Sequence, residues 1–339
     1  MSDGERMDCV LGLMRDEGSV GPRARVQQLR QLEGGWSRQS WALTVDDPDS
    51  PPLELIVRVR PHGALLDTDL RQEFSTYAAL ADEPVPVPPV HGMLDEQDTP
   101  FGGPFFVMDR LPGRSPNVWR ARERAELAED WQGARGYATD LADTLAAIHA
   151  VPLEQLAKVV VARDFAATVA HWRAIQQEMA LVEDPIVEEA YEWVAQRAPR
   201  ELSPCLVHGD YRIGNCLVDE GRLTGVLDWE LSFLGDPRFD LGYVALEYHA
   251  GKFTKPGSPL LNAVAERDWF RERYEAASGR SLDAEVIRTF SVLAMLMLCA
   301  ILTTGLHQYA GRETDDIRMA WTRFALPGLR QDMIALMGW

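Results

Sequence analysis

The sequence predicts an α+β protein of two lobes, with a strand-rich N-terminal lobe at residues 1–110 and a mostly helical C-terminal lobe at residues 111–339. Alternating apolar and polar residues are concentrated in the first third of the chain, whereas helical spacing dominates the remainder. The Pro112–Gly113 pair lies where the composition changes. Segregated strands and helices are typical of α+β folds, and 339 residues are enough for two lobes.

In the N-terminal lobe, a strand is predicted at residues 33–45, where apolar and polar residues alternate after the glycines. A turn at 46–52 leads to its antiparallel return strand at 53–60, and a Pro-rich extended segment at 83–92 precedes a further hairpin whose second strand is at 104–108. Apolar residues recur at helical spacing at residues 3–16 and 22–32, which suggests a short N-terminal helix and the segment that leads into the first strand. The same spacing at residues 67–82 predicts a further helix. The last helix is amphipathic, because Leu70, Phe74, Tyr77 and Leu80 share one face.

In the C-terminal lobe, helices are predicted at residues 120–150, 162–182, 186–198, 264–277, 283–306 and 315–337. Short strands interrupt them: two flank the polar loop within residues 206–218, and another is predicted at residues 223–227. The apolar run Phe290–Leu306 falls just short of the roughly 18 residues of a spanning helix and contains Ser and Thr. We therefore interpret it as a buried core helix.

Charge and cysteine content limit the classes of partner. The chain has 52 acidic and 34 basic residues, a net charge of -18, so it lacks the cationic excess that nucleic acids and anionic membranes attract. Its four cysteines show no metal-ligand or disulfide spacing, and the N-terminus lacks an apolar signal core. We expect a cytoplasmic protein that binds neither nucleic acid nor membrane and that is a monomer or homodimer.

The stretch LVHGDYRIGNCLV, residues 206–218, is a polar loop between two apolar strands. After the strand that follows the loop, a short turn leads into a further strand, residues 223–227, which ends at Asp228. If these two strands pair antiparallel, Asn215 and Asp228 come together. An amide and a carboxylate oxygen suit Mg²⁺. With Asp210 nearby to accept a proton, these residues form a minimal set for phosphoryl transfer.

The order HGDYRIGN, VLDWE, GDPRFDLGY resembles the aminoglycoside phosphotransferase family of the protein-kinase-like fold, in particular the branch related to kinase domains fused to acyl-CoA dehydrogenases. The resemblance covers about residues 25–330. It implies a set of roles in the C-terminal lobe: catalytic base for Asp210, γ-phosphate neutralisation for Arg212, Mg²⁺ ligation for Asn215 and Asp228, structural hydrogen bonding for His208, and bracing of the loop for Asp240.

The resemblance also implies a nucleotide clamp in the N-terminal lobe. Arg58 would pair with the α- and β-phosphates and with Glu73, although Arg60 is the alternative if the strand register differs. Gly35 and Ser37 belong to the segment that replaces a glycine-rich loop. At the hinge, backbone groups of Asp109 and Leu111 would contact the adenine.

The expected reaction is ATP- and Mg²⁺-dependent phosphorylation of a small-molecule hydroxyl, with GTP left open as the donor. The acceptor is either an aminoglycoside-type antibiotic or a hydroxyacyl or hydroxyacyl-CoA metabolite. Candidate acceptor contacts are Glu230, Trp172, Tyr248 and His307, together with Arg173, Glu247 and Tyr309. The alternative is a non-catalytic, pseudokinase-like nucleotide-binding module. A protein kinase is disfavoured, because residues 229–237 are too short to present a peptide substrate.

Overall fold

The computed structural model describes residues 2–32, 35, 37–200, 203–251 and 260–339. Two compact units make up the chain: the first comprises residues 1–82 and 87–111, and the second comprises residues 83–86 and 112–339. A five-stranded sheet in the first unit and a largely helical second unit confirm the α+β class.

An antiparallel sheet forms the centre of the first unit. Its strands, in spatial order, are β1 (Arg25–Gln31), β2 (Gln39–Asp47), β3 (Ser50–Val59), β5 (Phe105–Asp109) and β4 (Val90–Leu94). The helical interpretation of residues 22–32 is therefore wrong. A register shift between Val26 and Gln28 inserts an extra residue into β1, and this bulge puts Val26 and Leu29 three apart on the half-buried side.

Two helices cover opposite faces of this sheet. Helix α1 (Asp3–Asp16) begins with a Ser2–Glu5 capping box and packs in the same apolar core as Phe105 and Val107. Helix α2 (Leu70–Leu80) contacts the other face, because the rings of Phe74 and Tyr77 lie 5.8 and 5.9 Å from Phe106. Successive residues of a strand point to opposite faces, so α2 contacts the Phe106 face.

The second unit is mostly helical. Its helices are α3 (Ala121–Gln132), α4 (Gly136–Ile148), α5 (Leu153–Leu156), α6 (Phe165–Met179), α7 (Pro185–Ala195), α8 (Arg238–Val244), α9 (Arg267–Ser278), α10 (Ala284–Ala310) and α11 (Ile317–Met337). The predicted helix at 120–150 is two helices, separated at Gly133 and at Arg135, whose φ is 56°. Helix α8 was not predicted.

Helix α10 lies in the centre of the second unit. Its length and apolar composition would suit a membrane span, and it is the one described helix that meets both criteria. In this fold, however, every residue from Thr289 to Ala300 is buried, and α10 packs against α6, α7, α8 and α11. These contacts account for the apolar run as a core helix.

Two small ladders hold the polar loop. Strand β6 (Cys205–Val207) precedes the loop and pairs with β9 (Phe233–Gly235), whereas β7 (Cys216–Asp219) follows it and pairs with β8 (Arg222–Val226). Short 3-10 helices are present at Ile213–Asn215, Trp229–Leu231 and Glu247–Ala250. Strand β9 has only three residues and was not predicted.

Candidate active site

The polar loop leaves β6 through a turn that needs glycine. Gly209 has a φ of 84°, and a Cβ atom at this position would lie 2.4 Å from the carbonyl oxygen of Leu231. A side chain would therefore collide with the backbone as well as strain the left-handed conformation. The chain then reaches the 3-10 helix at Ile213–Asn215, which brings the side chains of Asp210 and Asn215 together.

Asp240, in α8, braces the start of the loop. Its Oδ2 accepts the backbone N–H of His208 at 2.8 Å, and its Oδ1 accepts that of Gly209 at 2.9 Å. His149 Nε2 lies 3.1 Å from the same Oδ2, and both side chains are fully buried. A buried carboxylate bonded to successive N–H groups holds them in one geometry.

His208 connects the loop to the end of β8. Its Nδ1 accepts the backbone N–H of Asp210 at 3.2 Å, which assigns the ring hydrogen to Nε2. Nε2 then donates to the carbonyl oxygen of Leu227 at 3.0 Å. Both ring nitrogens are thus engaged and the ring packs against Trp229, contacts that fit the predicted structural role of His208.

Three donors surround the carboxylate of Asp210, whose side chain is 17% exposed. Its Oδ1 accepts hydrogen bonds from Arg212 Nε at 3.0 Å and from the hydroxyl of Tyr243, and its Oδ2 accepts one from Asn215 Nδ2 at 2.7 Å. The carboxylate is therefore fixed in orientation and still reachable by solvent.

Arg212 carries a positive charge close to this carboxylate. Burial by itself would lower the pKa of Arg212, but the negative charge of Asp210, followed by Tyr243 and Asp228, raises the pKa above its ordinary value. One third of the Arg212 side chain is exposed, so its guanidinium can reach an anionic ligand as well as Asp210.

The β7–β8 register brings Asn215 next to the residue before Asp228. Cys216 pairs with Val226, and the N–H of Leu227 donates to the carbonyl oxygen of Asn215 at 2.8 Å. Asp228 itself has φ 73° and ψ 53°, a left-handed conformation that is uncommon for a residue other than glycine. Such backbone strain is frequent at functional sites.

The donor chemistry at Asn215 and Asp228 fits Mg²⁺. Because the side-chain nitrogen of Asn215 is bonded to Asp210, its side-chain oxygen Oδ1 is the atom that could bind a metal. Within the described residues, no group of three or more His, Cys, Asp or Glu side chains could hold a metal. One carboxylate and one amide oxygen suit Mg²⁺, which keeps several waters and takes phosphate oxygens as further ligands.

Glu73, in the first unit, is fully buried and pairs with two arginines. Arg58 Nε lies 2.5 Å from Oε1, and Arg38 Nε lies 3.1 Å from Oε2. Arg58 and Phe106 are register partners on β3 and β5, which places Arg58 on the sheet face that α2 covers. Arg60 instead pairs with the exposed Asp67, so the structure brings Arg58 rather than Arg60 to Glu73.

The segment before β2 lies only partly within the described residues, because Glu33, Gly34 and Trp36 fall outside them. Gly35 has a φ of 72°, and an added Cβ would lie 2.3 Å from the carbonyl oxygen of Arg38. Ser37 is buried, and its carbonyl oxygen accepts a long 3.5 Å bond from Arg38. A tight turn at Gly35 is consistent with close approach of backbone to a ligand.

Asp109 and Leu111 lie at the end of the first unit. The backbone N–H of Asp109 donates to the carbonyl oxygen of Pro89 at 2.9 Å, and its carboxylate lies 2.6 Å from His91 Nε2. The N–H of Asp109 is therefore engaged within the first unit, and the contacts of Asp109 and Leu111 with adenine stay predictions.

The candidate acceptor contacts divide into two groups. Tyr248 lies near the loop, because its ring contacts that of His249, which contacts the ring of Tyr243. Burial raises the pKa of Tyr248 to about 12, an increase that the charge of Arg212 opposes and that of Asp210 favours. Glu230 is half-buried in the 3-10 helix that follows Asp228. Both therefore belong to the surroundings of the loop.

The structure does not bring Trp172 and His307 to the loop. Trp172 is buried in α6 beside His171. His307 contacts the carbonyl oxygen of Met179 and lies about 24 Å along α10 from Ser291, which bonds to α8. Arg173 is paired with Glu188 and Glu192. The apolar residues at helical spacing in α6 and α10 are those that pack these helices into the core of the second unit.

Two residues of the site were not anticipated as such from the sequence. Tyr243 bonds to Asp210, and Arg38 completes the ion pairing of Glu73. A signal for Tyr243 was present in GDPRFDLGY, because Asp240 and Tyr243 are three apart and share a helix face. No comparable spacing in the sequence indicated that Arg38 would pair with Glu73.

Cys216 immediately follows Asn215 and is fully buried at the start of β7. Its thiol lies 3.5 Å from the carbonyl oxygen of Arg212. Burial raises the pKa of this thiol to about 12, although the charge of Arg212 opposes the shift. The thiol is therefore protonated at neutral pH.

Solved structures share this fold. A protein from Ralstonia eutropha JMP134, provisionally assigned as an aminoglycoside phosphotransferase, matches with a TM-score of 0.73 and 21% identity over 96% of this chain and 95% of its own. A thermostable mutant of the aminoglycoside phosphotransferase APH(4)-Ia, in ternary complex with ADP and hygromycin B, matches with a TM-score of 0.58 and 16% identity, covering 93% and 96% of the two chains. The fold is thus the kinase-like fold of these enzymes.

Sequence comparison gives the family. The profile of the phosphotransferase enzyme family, APH, matches residues 28–280, and the chain belongs to that family. Acyl-CoA dehydrogenase family member 10 from Mus musculus is 28% identical over 264 residues, which are 74% of this chain and 22% of the mouse protein. The chain spans about a quarter of the length of such curated relatives. Family membership supports a small-molecule phosphotransferase.

Proposed function

We propose that the protein transfers the γ-phosphoryl group of ATP directly to a hydroxyl group of a small molecule, in a reaction that depends on Mg²⁺. The observation that carries this proposal is the carboxylate of Asp210, which is fixed by Asn215 on one oxygen and lies in the loop that also bears Arg212. A positioned base, a cation and two oxygen ligands for a metal are the groups that phosphoryl transfer requires.

In the proposed reaction, Asp210 accepts the proton of the acceptor hydroxyl while that oxygen attacks the γ-phosphorus. The bond between the γ-phosphorus and the bridging oxygen breaks, and ADP carries the electron pair away. Arg212 stabilises negative charge on the transferring group. Bound Mg²⁺, held by Asn215 and Asp228, would supply charge neutralisation at the phosphates. Arg58, oriented by Glu73, would bind phosphate oxygens of the nucleotide.

Two acceptor classes remain within the proposal. The solved APH(4)-Ia complex contains the aminoglycoside hygromycin B, which favours an aminoglycoside-type acceptor. The similarity to acyl-CoA dehydrogenase family members favours a hydroxyacyl or hydroxyacyl-CoA acceptor. Tyr248 and Glu230 are the acceptor contacts to test first, because both are close to the loop in structure or sequence. We further propose a cytoplasmic monomer or homodimer that binds neither nucleic acid nor membrane.

The decisive experiment measures ADP formation with Mg²⁺ and ATP, and with GTP in parallel, against aminoglycosides, macrolides, amino alcohols, sugars and hydroxyacyl-CoA thioesters. At least one acceptor should raise ADP release above basal hydrolysis, and mass spectrometry should show an added phosphate on that acceptor. Asp210→Asn should reduce this turnover by roughly 10³-fold or more while nucleotide binding persists. Full turnover by Asp210→Asn would refute Asp210 as the base.

A non-catalytic nucleotide-binding module is the alternative. A degenerate module usually lacks one of the phosphoryl-transfer groups, whereas Asp210, Asn215, Asp228 and the Arg58–Glu73 pair are all present here. That alternative predicts nucleotide binding by calorimetry without ADP formation for any acceptor, including water.

A further inference from the structure

Tyr243 approaches the proposed base from the side opposite to Asn215. Its hydroxyl donates to Oδ1 of Asp210, whereas the amide of Asn215 donates to Oδ2. The side chain is only 2% exposed, so water does not compete for this contact. Burial, followed by the charge of Asp210, raises the pKa of Tyr243 well above its ordinary value, and the phenol therefore stays a donor.

Helix α8 contacts the loop through two side chains, one helical turn apart. Asp240 accepts the backbone N–H groups of His208 and Gly209, and Tyr243, one turn later, bonds to the side chain of Asp210. Residues three apart lie on the same face of a helix. Helix α8 thus fixes both the path of the loop and the orientation of its carboxylate.

The position of α8 is fixed in turn by α10. A Cβ atom on Gly242 would lie 2.5 Å from the carbonyl carbon of Phe290 and 2.6 Å from the backbone nitrogen of Ser291. Ser291 also donates its hydroxyl to the carbonyl oxygen of Gly242 at 3.2 Å. This close helix contact leaves Tyr243 little freedom to move away from Asp210.

The two oxygens of Asp210 differ in their partners. Oδ1 accepts bonds from both Tyr243 and Arg212, whereas Oδ2 accepts one from Asn215. We propose that Tyr243 is a positioning residue that, with Arg212, occupies Oδ1 and so directs Oδ2 to the acceptor hydroxyl. This inference rests on the proposed function, because it assigns which oxygen of the base receives the proton.

The test compares Tyr243→Phe with Tyr191→Phe. Tyr191 is the control, because it is also a fully buried tyrosine but lies in α7, outside both the loop and α8. Basal hydrolysis of ATP with Mg²⁺ uses water as the acceptor, so it can be measured without a known substrate. We expect Tyr243→Phe to reduce kcat roughly tenfold with KM for ATP within twofold, and Tyr191→Phe to change kcat less than twofold.

A double-mutant cycle separates positioning from a general structural effect. In Asp210→Asn protein, whose residual rate no longer depends on a carboxylate base, adding Tyr243→Phe should change that rate less than twofold. A tenfold loss in both backgrounds, or an equal loss of kcat from Tyr191→Phe, would overturn the positioning role. So would a kcat of Tyr243→Phe within twofold of the unmodified protein.

The two proposals fail differently. Unmodified protein that forms no ADP with water or with any acceptor tested, or an Asp210→Asn variant as active as the unmodified protein, would remove the proposed function and this inference together. An active unmodified protein, an Asp210→Asn variant slowed roughly 10³-fold and a fully active Tyr243→Phe variant would remove the inference alone. Thermal unfolding of each variant establishes that the compared proteins are folded.

Discussion

Arg38 and Glu73 form an ion pair in which both side chains are almost completely buried, with 3.1 Å between Arg38 Nε and Glu73 Oε2. Glu73 also binds Arg58, so one buried carboxylate accepts hydrogen bonds from two guanidinium groups. Removing the carboxylate would take away the acceptor that both arginines share. Removing Arg38 would leave the pair of Glu73 with Arg58 in place.

We therefore expect Glu73→Gln to lower the free energy of unfolding by about 3–5 kcal/mol, and Arg38→Met to lower it by less. Urea denaturation of the two variants, followed by circular dichroism, measures the difference. Arg38 also donates to Thr68 Oγ1 at 2.7 Å, and loss of that bond is included in the Arg38→Met value. A larger loss for Arg38→Met than for Glu73→Gln would contradict this ordering.

Asp240→Asn should destabilise the second unit and slow turnover. The carboxylate accepts bonds from His208, Gly209 and His149, and an amide offers only one oxygen for them. We expect a loss of about 2 kcal/mol or more in the free energy of unfolding, because a buried N–H group loses its acceptor. Glu126→Gln, which breaks exposed pairs with Arg114 and Arg122, is the control and should cost less than ~1 kcal/mol. Equal stabilities for the two variants would argue against the bracing role.

Substitutions at Asp228 can separate metal binding from backbone strain. Asp228→Asn keeps a residue type that tolerates its left-handed φ of 73°, so stability should change little while Mg²⁺-dependent nucleotide binding weakens at least tenfold. Asp228→Ala should weaken binding similarly and also cost about 1 kcal/mol of stability. Calorimetric titration with AMP-PNP and Mg²⁺, alongside thermal unfolding, distinguishes the two effects. Tight Mg²⁺-dependent binding by Asp228→Asn would exclude a ligand role.

His171 should make stability fall between pH 6.5 and pH 4. Burial, followed by the charge of Arg163, lowers its pKa from 6.5 to about 4. In this interval the unfolded chain binds a proton that the folded protein does not, so unfolding is favoured as the pH decreases. Above pH 6.5 the histidine is neutral in both states, and its contribution to stability is complete.

The size of this effect is on the order of 1–2 kcal/mol at pH 5. His171→Phe keeps an aromatic ring beside Trp172, whose centroid lies 4.9 Å from that of His171, but removes the titrating group. The difference in unfolding free energy between pH 7 and pH 5 should therefore be smaller in the variant. An unchanged difference would show that other groups account for the acid sensitivity.

Contacts made through short connections could be predicted from the sequence. The adjacency of Asn215 to the end of β8 follows from a tight β7–β8 turn, because the register of a short hairpin is local. The pairing of Arg58 with Glu73 was instead implied by the family resemblance, and the strand register alone left Arg60 as an alternative.

Contacts that depend on the packing of distant elements could not be predicted in the same way. Tyr243 contacts Asp210 because α8 packs closely against α10, and Arg38 contacts Glu73, which is 35 residues away in the sequence. The positions of Trp172 in α6 and His307 in α10 could not be predicted either, because apolar helical spacing does not specify which part of a helical core a residue joins.

Cys216 provides a natural reporter of loop opening. Its thiol is buried and protonated at neutral pH, so an alkylating reagent can modify it only when β7 separates transiently from the loop. Because the cysteine adjoins Asn215, the labelling rate of this one sulfur reports how often the loop and its neighbouring strand open. Alkylation of Cys216 thus measures, in the unmodified sequence, the opening of the loop for which we propose catalysis.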